Sequence, residues 1–367
     1  MFTKQSVILF IIVTLLMAIL VKSGPKERTA AYPEAAFLAG KSEYHYMQLA
    51  DFFKKLAQTK GARYAFDVLA IAKLPPNTDI HLLGHVVGDV LYRKEGARGM
   101  AICTNDFRNA CSHSIVVGLF SDYGEAALEK IADACRSAPG GKGAYMMCFH
   151  GLGHGVLAQY GYDLKKAVES CQKSATLQFE NRESTECIGG TIMEIVGGGF
   201  HDRDAWSKQR VKYLIKDDPL APCNRPIIPD QAKHMCYFYL TPNFSIPFDV
   251  KTAFAVCNQI SREDPMNRDF CFGGVIKEFI PLLRKRDIRS LETLGNDELV
   301  KIYQACKLAP VEDGTISCIR HAVNTLYWGG ENKPDSAMDF CKVISDKGQQ
   351  DLCLSHLTGA VNFYERN

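Results

Sequence analysis

Residues 135–161 read CRSAPGGKGAYMMCFHGLGHGVLAQYG. Two cysteines stand on either side of a turn. The second, Cys148, opens an apolar stretch of about three helical turns that closes on Gly161, as a helix ending in a left-handed cap does. The first, Cys135, closes the more polar stretch GEAALEKIADAC, whose apolar positions recur at steps of three and four, as on one face of a helix. The passage therefore reads as a polar outer helix, a turn and an apolar inner helix. Antiparallel packing of the two helices sets the cysteines side by side.

The same arrangement recurs in both directions along the chain. All fourteen cysteines fall into seven successive pairs: Cys103 with Cys111, Cys135 with Cys148, Cys171 with Cys187, Cys223 with Cys236, Cys257 with Cys271, Cys306 with Cys318, and Cys341 with Cys353. The second members recur every 35 to 49 residues, a period that marks a stacked repeat. Six of them open apolar stretches such as CSHSIVVGLFSDYG, CIGGTIMEIVGGG and CIRHAVNTLYWGG. First members close amphipathic stretches such as YDLKKAVESC, ELVKIYQAC and DSAMDFC. A unit without cysteine precedes them, with DFFKKLAQTKGARYAFDVLA as its outer part and DIHLLGHVVGDVLYRKEG as its inner helix. The expectation is an all-α chain, an αα-hairpin repeat solenoid of about eight hairpins, seven with a local disulfide. On the chain-entropy account each bridge contributes about 3 kcal/mol. There is no CxxC, so neither a zinc ribbon nor a thioredoxin-type pair is supported, and no CxxCH for haem attachment.

The passage Gly161-Tyr162-Asp163-Leu164-Lys165-Lys166-Ala167, followed by Cys171, resembles the entry into a new repeat in the TPR/Sel1-like superfamily. The chain is similar above all to its secreted, cysteine-rich members, which carry one disulfide per hairpin. That resemblance implies architecture and says little about activity. The period and the cysteine separations here are more irregular than the Sel1 pattern.

Ser6 to Val21 (SVILFIIVTLLMAILV) is uncharged and nearly all apolar, flanked by Lys4 and Lys22. Residues 1–23 read as an N-terminal hydrophobic helix, either an uncleaved signal anchor or a signal peptide cleaved ahead of Gly24. Residues 24–42 read as a linker and 43–367 as the disulfide-stapled repeat domain. The cysteine usage then places the folded part outside the cytoplasm, membrane-anchored or secreted after cleavage. With 43 basic and 41 acidic residues the net charge is +2, and no basic run stands out. Nucleic-acid binding is not implied, and the membrane contact expected is through the N-terminal helix alone.

The most specific polar signal lies in the first three units. His81-Leu82-Leu83-Gly84-His85 and His150-Gly151-Leu152-Gly153-His154 share the form H-x-L-G-H, and His113 follows Cys111 as His150 follows Cys148. Imidazoles at i and i+4 share a helix face and can chelate one ion. Three imidazoles favour zinc, copper or iron over magnesium or calcium. Asp89 continues the stripe by one turn, as a ligand or as a carboxylate orienting one. The competing reading is a structural ladder of core histidines multiplied by duplication. At a helix-packing distance of about 8–10 Å per layer, the first and third units would lie too far apart to share one ion unless the array is tightly wound. His321 and His356 are displaced by one position, about 100° around the helix, and are left out of the site. Glu194 and Glu278 occupy one repeat position, seven after Cys187 and Cys271, as acid/base candidates or partners of Arg and Lys.

Two functions follow as expectations. One is an exported binding scaffold whose inner surface engages a peptide, an envelope protein or a small ligand. The other is a metal-binding protein or metal-dependent enzyme built on the five histidines. In the later units Gly189, Phe238, Gly273, Arg320 and Ser355 stand at the position of His150. No HExxH, phosphate loop or dinucleotide fingerprint occurs.

Overall fold

All seven neighbouring cysteine pairs are bonded in the computed structural model. Cys103 is joined to Cys111, Cys135 to Cys148, Cys171 to Cys187 and Cys223 to Cys236. Cys257 is joined to Cys271, Cys306 to Cys318 and Cys341 to Cys353. The Cα atoms of a pair are 5.3 to 5.7 Å apart, and no cysteine is free. Seven bridges fit maturation in an oxidising, extracytoplasmic or secreted setting. The structure describes residues 32–176, 179–197, 202–289, 294–329 and 333–365. Among them there is no β-strand, only an isolated bridge between Ile215 and Asp218. The hydrophobic run Ser6–Val21 lies outside the described residues. No described helix is long and apolar enough to cross a membrane.

Helices α1 (Pro33–Ala39), α2 (Tyr46–Lys60) and α3 (Ala62–Ile71) lead into the first inner helix, α4 (Ile80–Glu95). Then follow α5 (Asp106–Tyr123), α6 (Leu128–Arg136), α7 (Gly141–Gln159), α8 (Leu164–Gln172), α9 (Arg182–Gly197) and α10 (Arg203–Arg210). The second half holds α11 (Lys233–Leu240), α12 (Val250–Cys257), α13 (Pro265–Leu283), α14 (Asn296–Cys306), α15 (Glu312–Gly329), α16 (Asp335–Lys342) and α17 (Lys347–Glu365). Several outer helices start on an aspartate N-cap: Asp163 accepts from the Lys166 amide and Asp249 from the Thr252 amide. The second cysteine of each pair lies on an inner helix; Cys236 of α11, Cys318 of α15 and Cys353 of α17 are all buried.

The outer segments depart from the expected pattern in three places. The outer part of the first unit is split into α2 and α3 at Gly61, whose φ of +91° a side chain would resist. Before Cys103 the seven residues Gly96–Ile102 form a 3-10 helix in place of an α-helix. Before Cys223, which bonds Cys236, residues 211–229 run through turns; Pro219, Pro222, Pro226 and Pro229 remove the amide donors a helix would need. Helix α1 lies within the stretch read as linker: Ala35 and Leu38 are buried, and Glu34 bonds Lys60 and Tyr64. The packed body thus starts ahead of residue 43.

The inner helices pack in chain order: α4 on α5, α5 on α7, α7 on α9, α9 on α11, α11 on α13, α13 on α15 and α15 on α17. Contacts also join parts distant in sequence. Helix α17 returns to α7, and Trp328 of α15 lies over Gly143 of α7. The Arg289 guanidinium donates to the carbonyls of Leu69 (2.6 Å) and Ala72 (2.8 Å).

Candidate metal centre

The inner faces of α4, α5 and α7 are where the histidines meet. Glycines let these helices approach closely: a methyl group at Gly88 would fall 2.7 Å from the Ser114 Cβ, and one at Gly151 would fall 2.6 Å from the His113 ring. His113 therefore sits with its ring over the α7 backbone, flanked by α4 on its other side. His81 and His85 have ring centroids 4.7 Å apart, and His113 lies 5.4 Å from each. His113 is 5.9 Å from His150 and 6.3 Å from His154, and the latter two are 5.1 Å apart. His85 and His154, from the first and third units, are 6.4 Å apart. The separation expected from layer spacing is thus bridged, because Gly84 and Gly88 of α4 and Gly151 and Gly155 of α7 bring both helices close against α5.

One ligand nitrogen from each of His81, His85 and His113 lies within 4.8 Å of the others, a grouping that can hold a metal ion. The partners of the other nitrogens fix how the rings are presented. His81 donates from Nδ1 to the carbonyl of Phe107 (2.7 Å). That carbonyl is aimed by a left-handed turn within α5, where Phe107, Arg108 and Asn109 have φ of +55°, +54° and +62°. Three consecutive non-glycine residues in that region carry strain, held by the surrounding packing. Ser114 donates to the carbonyl of His85 (3.0 Å), so its oxygen accepts from His85 Nδ1 (3.3 Å). The two Nε2 atoms lie 3.1 Å apart, a hydrogen bond when one of them carries the proton; in the tautomers with both Nδ1 atoms as donors, both Nε2 lone pairs are open to an ion. Donation of the distal N–H to a backbone or side-chain oxygen is the usual support for a ligating imidazole. A tetrahedral ion with bonds of ~2.05 Å would hold ligand nitrogens about 3.3 Å apart.

His113 is fully buried, and neither of its ring nitrogens has a hydrogen-bond partner; the Met147 carbonyl approaches the ring without reaching hydrogen-bond geometry. Burial holds its basicity well below that of a free histidine, and the charges of His81, His150 and His154 act the same way. Burial likewise lowers His81, against the pull of Asp79, and lowers His150 well below the ordinary range, with His154 next in effect. All three rings are therefore neutral and hold a lone pair at physiological pH, the form a metal needs.

On α7, His154 donates from Nδ1 to Glu194 Oε2 (2.9 Å), and Tyr162 donates to Glu194 Oε1 (2.9 Å). His154 Nε2 is left buried without a partner. His150 places Nε2 3.3 Å from the Met193 sulfur and stacks on Tyr239 at 4.5 Å; its Nδ1 is buried without a partner. Lys277 of α13 lies over Tyr239, 4.7 Å from the ring centroid, and desolvation brings its amine down to about 8.

The acidic candidates separate. Glu194 joins the cluster through His154. Glu278 points elsewhere and pairs with Arg286 at 2.9 Å. Burial holds the Tyr46 hydroxyl protonated, and the charge of Asp89, with that of Asp79, adds to it. Met193 and Lys277 stand six residues after Cys187 and Cys271, the position His154 holds after Cys148, so an alignment on the cysteines points to both; Tyr162 and Ser114 have no counterpart among the histidines. Compared with protein-family models, with curated proteins and with solved structures, the chain matches none.

Proposed function

We propose that this protein is an exported, disulfide-bonded αα-repeat array that binds a transition-metal ion through His81, His85 and His113. The chain-order packing of the inner helices and one bridge per inner helix from α5 onward support the repeat reading. The run Ser6–Val21, as signal anchor or cleaved signal, would deliver it out of the cytoplasm.

The observation that carries the metal reading is the pairing of convergence with orphaned nitrogens. The ligand atoms of the three rings lie within 4.8 Å of one another, and both nitrogens of buried His113 lack partners. An unpaired buried polar atom costs about 1–3 kcal/mol. A structural ladder would spend those nitrogens on hydrogen bonds; a bound ion takes the lone pair of one and leaves the other as the N–H on the side of the Met147 carbonyl. The binding-scaffold reading draws on repeat architecture alone, whereas the metal reading draws on named atoms.

The test is metal content and affinity of the oxidised protein after chelator stripping, with Zn(II), Fe(II) and copper added separately. One tightly held ion per chain is expected at this position. His113→Ala should abolish it and His321→Ala should leave it intact. Absence of binding and of any thermal shift with all three metals would reject the reading.

A further inference from the structure

The first ion leaves part of the cluster unexplained. It takes Nε2 of His81 and His85 and one nitrogen of His113. His150 Nδ1 and His154 Nε2 remain buried and unpartnered, on residues only 2 % and 7 % exposed. The opposite nitrogen of each ring is engaged: His154 Nδ1 with Glu194, and His150 Nε2 with the Met193 sulfur. Each ring is thereby set in the tautomer that leaves a lone pair on the unpartnered atom. The two rings stand one helical turn apart on α7, with centroids separated by 5.1 Å.

We propose a second metal position, held by His150 and His154 and selective for monovalent copper; it rests on the reading of the cluster as a metal centre. Among the described residues only His81, His85 and His113 bring three ligand atoms within 4.8 Å, so the second position offers two imidazoles. Two-coordinate binding by neutral nitrogen donors suits Cu(I), whereas Zn(II) takes four ligands in structural sites and at least three protein ligands in catalytic ones. The Met193 sulfur accepts from His150 Nε2–H on the ring edge away from the ion, so it orients the ligating imidazole and does not itself coordinate. Charge points the same way. Glu194 supplies one negative charge beside His154, while Lys277 lies on the other side of His150 across Tyr239. A monovalent ion balances Glu194 and places the least charge opposite Lys277.

The test is anaerobic titration of the oxidised full chain with Cu(I) against a chromophoric competitor, and in parallel with Zn(II). The wild type should bind two Cu(I) but one Zn(II). The double variant His150→Ala/His154→Ala should bind one of either, and its retained Zn(II) reports that it folds. Met193→Leu, a milder change, should weaken the second Cu(I) about tenfold and leave Zn(II) binding unchanged. A wild type that takes one Zn(II) and only one Cu(I), or a double variant that still takes two Cu(I), overturns this proposal and leaves the first site standing. A wild type that binds neither ion overturns both.

Discussion

Replacing Gly153 by alanine should wedge α7 away from α9 and disturb the site from its far side. A methyl group at Gly153 would lie 2.0 Å from the carbonyl oxygen of Cys187, and 2.9 Å from both the Gly190 Cα and the Thr191 amide nitrogen. All three atoms are backbone, so no rotamer change relieves the clash. The contact is reciprocal: a methyl group at Gly190 would lie 2.0 Å from the carbonyl oxygen of His150. Even a close carbon–oxygen contact between helices sits at about 3.3 Å, so the helices must part by roughly 1.3 Å. Cys187 is tied to Cys171, which limits how α9 can give way.

Overpacking of a rigid contact costs about 1–3 kcal/mol, and a purely backbone clash belongs at the top of that range. Parting the helices by ~1 Å also takes His154 and Glu194 from 2.9 Å out of hydrogen-bond range, a further loss of about 1 kcal/mol. The total expected is about 4 kcal/mol, read from urea unfolding of the oxidised, chelator-treated protein. Gly359→Ala is the control. It lies exposed inside α17 with nothing within 4 Å of the added methyl, so it should stabilise by up to ~1 kcal/mol through helix propensity. A Gly153→Ala protein within about 0.5 kcal/mol of wild type, on the scale ordinary for surface changes, would refute the reasoning, as would equal losses at both positions.

Arg268 is 3 % exposed and forks to Asp313 Oδ2 (3.1 and 3.2 Å), the Ile260 carbonyl (2.7 Å) and Asn258 Oδ1 (3.2 Å), holding the turn between Cys257 and Cys271. Arg268→Lys keeps the charge but cannot reproduce the fork, and should cost about 2 kcal/mol in urea unfolding; an unchanged midpoint would contradict this. Acid should destabilise the fold before the ordinary carboxylates titrate. Burial, ahead of Arg182 for His234 and of Arg320 and His321 for His356, brings both histidines down to about 4. The unfolded chain therefore binds more protons between that value and the ordinary 6.5. The contribution of these two groups is complete above about pH 6.5 and falls as pH drops toward 4, by about 2 kcal/mol per histidine after allowance for partial exposure. Half-buried Glu186, pushed up to about 7 by desolvation, takes up a proton on folding and opposes part of this loss. His234→Phe, which keeps the ring beside Phe270, should flatten part of the slope in thermal melts taken across that range.

What the sequence makes legible follows from how local each signal is. The bridges join cysteines 8 to 16 residues apart, so the pairing needs only a turn and two helix ends, both of which leave local patterns. Cys318 and Cys353, each 12 residues after its partner, are read correctly for that reason alone. The H-x-L-G-H motif is legible because one helix face repeats every three to four residues. Three things escape that logic. The outer helices before Cys103 and Cys223 fail for want of length in one case and through proline in the other, while the spacing to Cys111 and to Cys236 stays ordinary. Glu194 holds the same repeat position as Glu278, yet only Glu194 reaches a histidine, because the partner across the groove is His154 in one place and Arg286 provides the alternative in the other. The left-handed turn at Phe107–Asn109 that aims a carbonyl at His81 has no glycine to announce it.

The C-terminal half supplies an internal comparison between a ladder and a metal centre. His321 of α15 lies over Gly273 of α13 much as His113 of α5 lies over Gly151 of α7: an added methyl would meet the imidazole at 2.2 Å in one case and 2.6 Å in the other. The same packing solution, a glycine beneath an imidazole, has been used twice. Yet His321 has its Nε2 on the Asp269 carboxylate at 3.1 Å, and His356 in the next unit has its own on Asn324 Oδ1 at 2.9 Å. These are histidines doing what a ladder asks, each bonded to a side chain of the adjacent inner helix. His113, two residues after its cysteine where His321 is three, and more deeply buried, has neither nitrogen so engaged. The two seats differ in register, Gly151 standing three residues after Cys148 and Gly273 two after Cys271, so the likeness lies in the packing and the difference in the partners. The fold can satisfy an imidazole seated on a glycine with one carboxylate, and the cost of leaving His113 without one is what the proposed ion offsets.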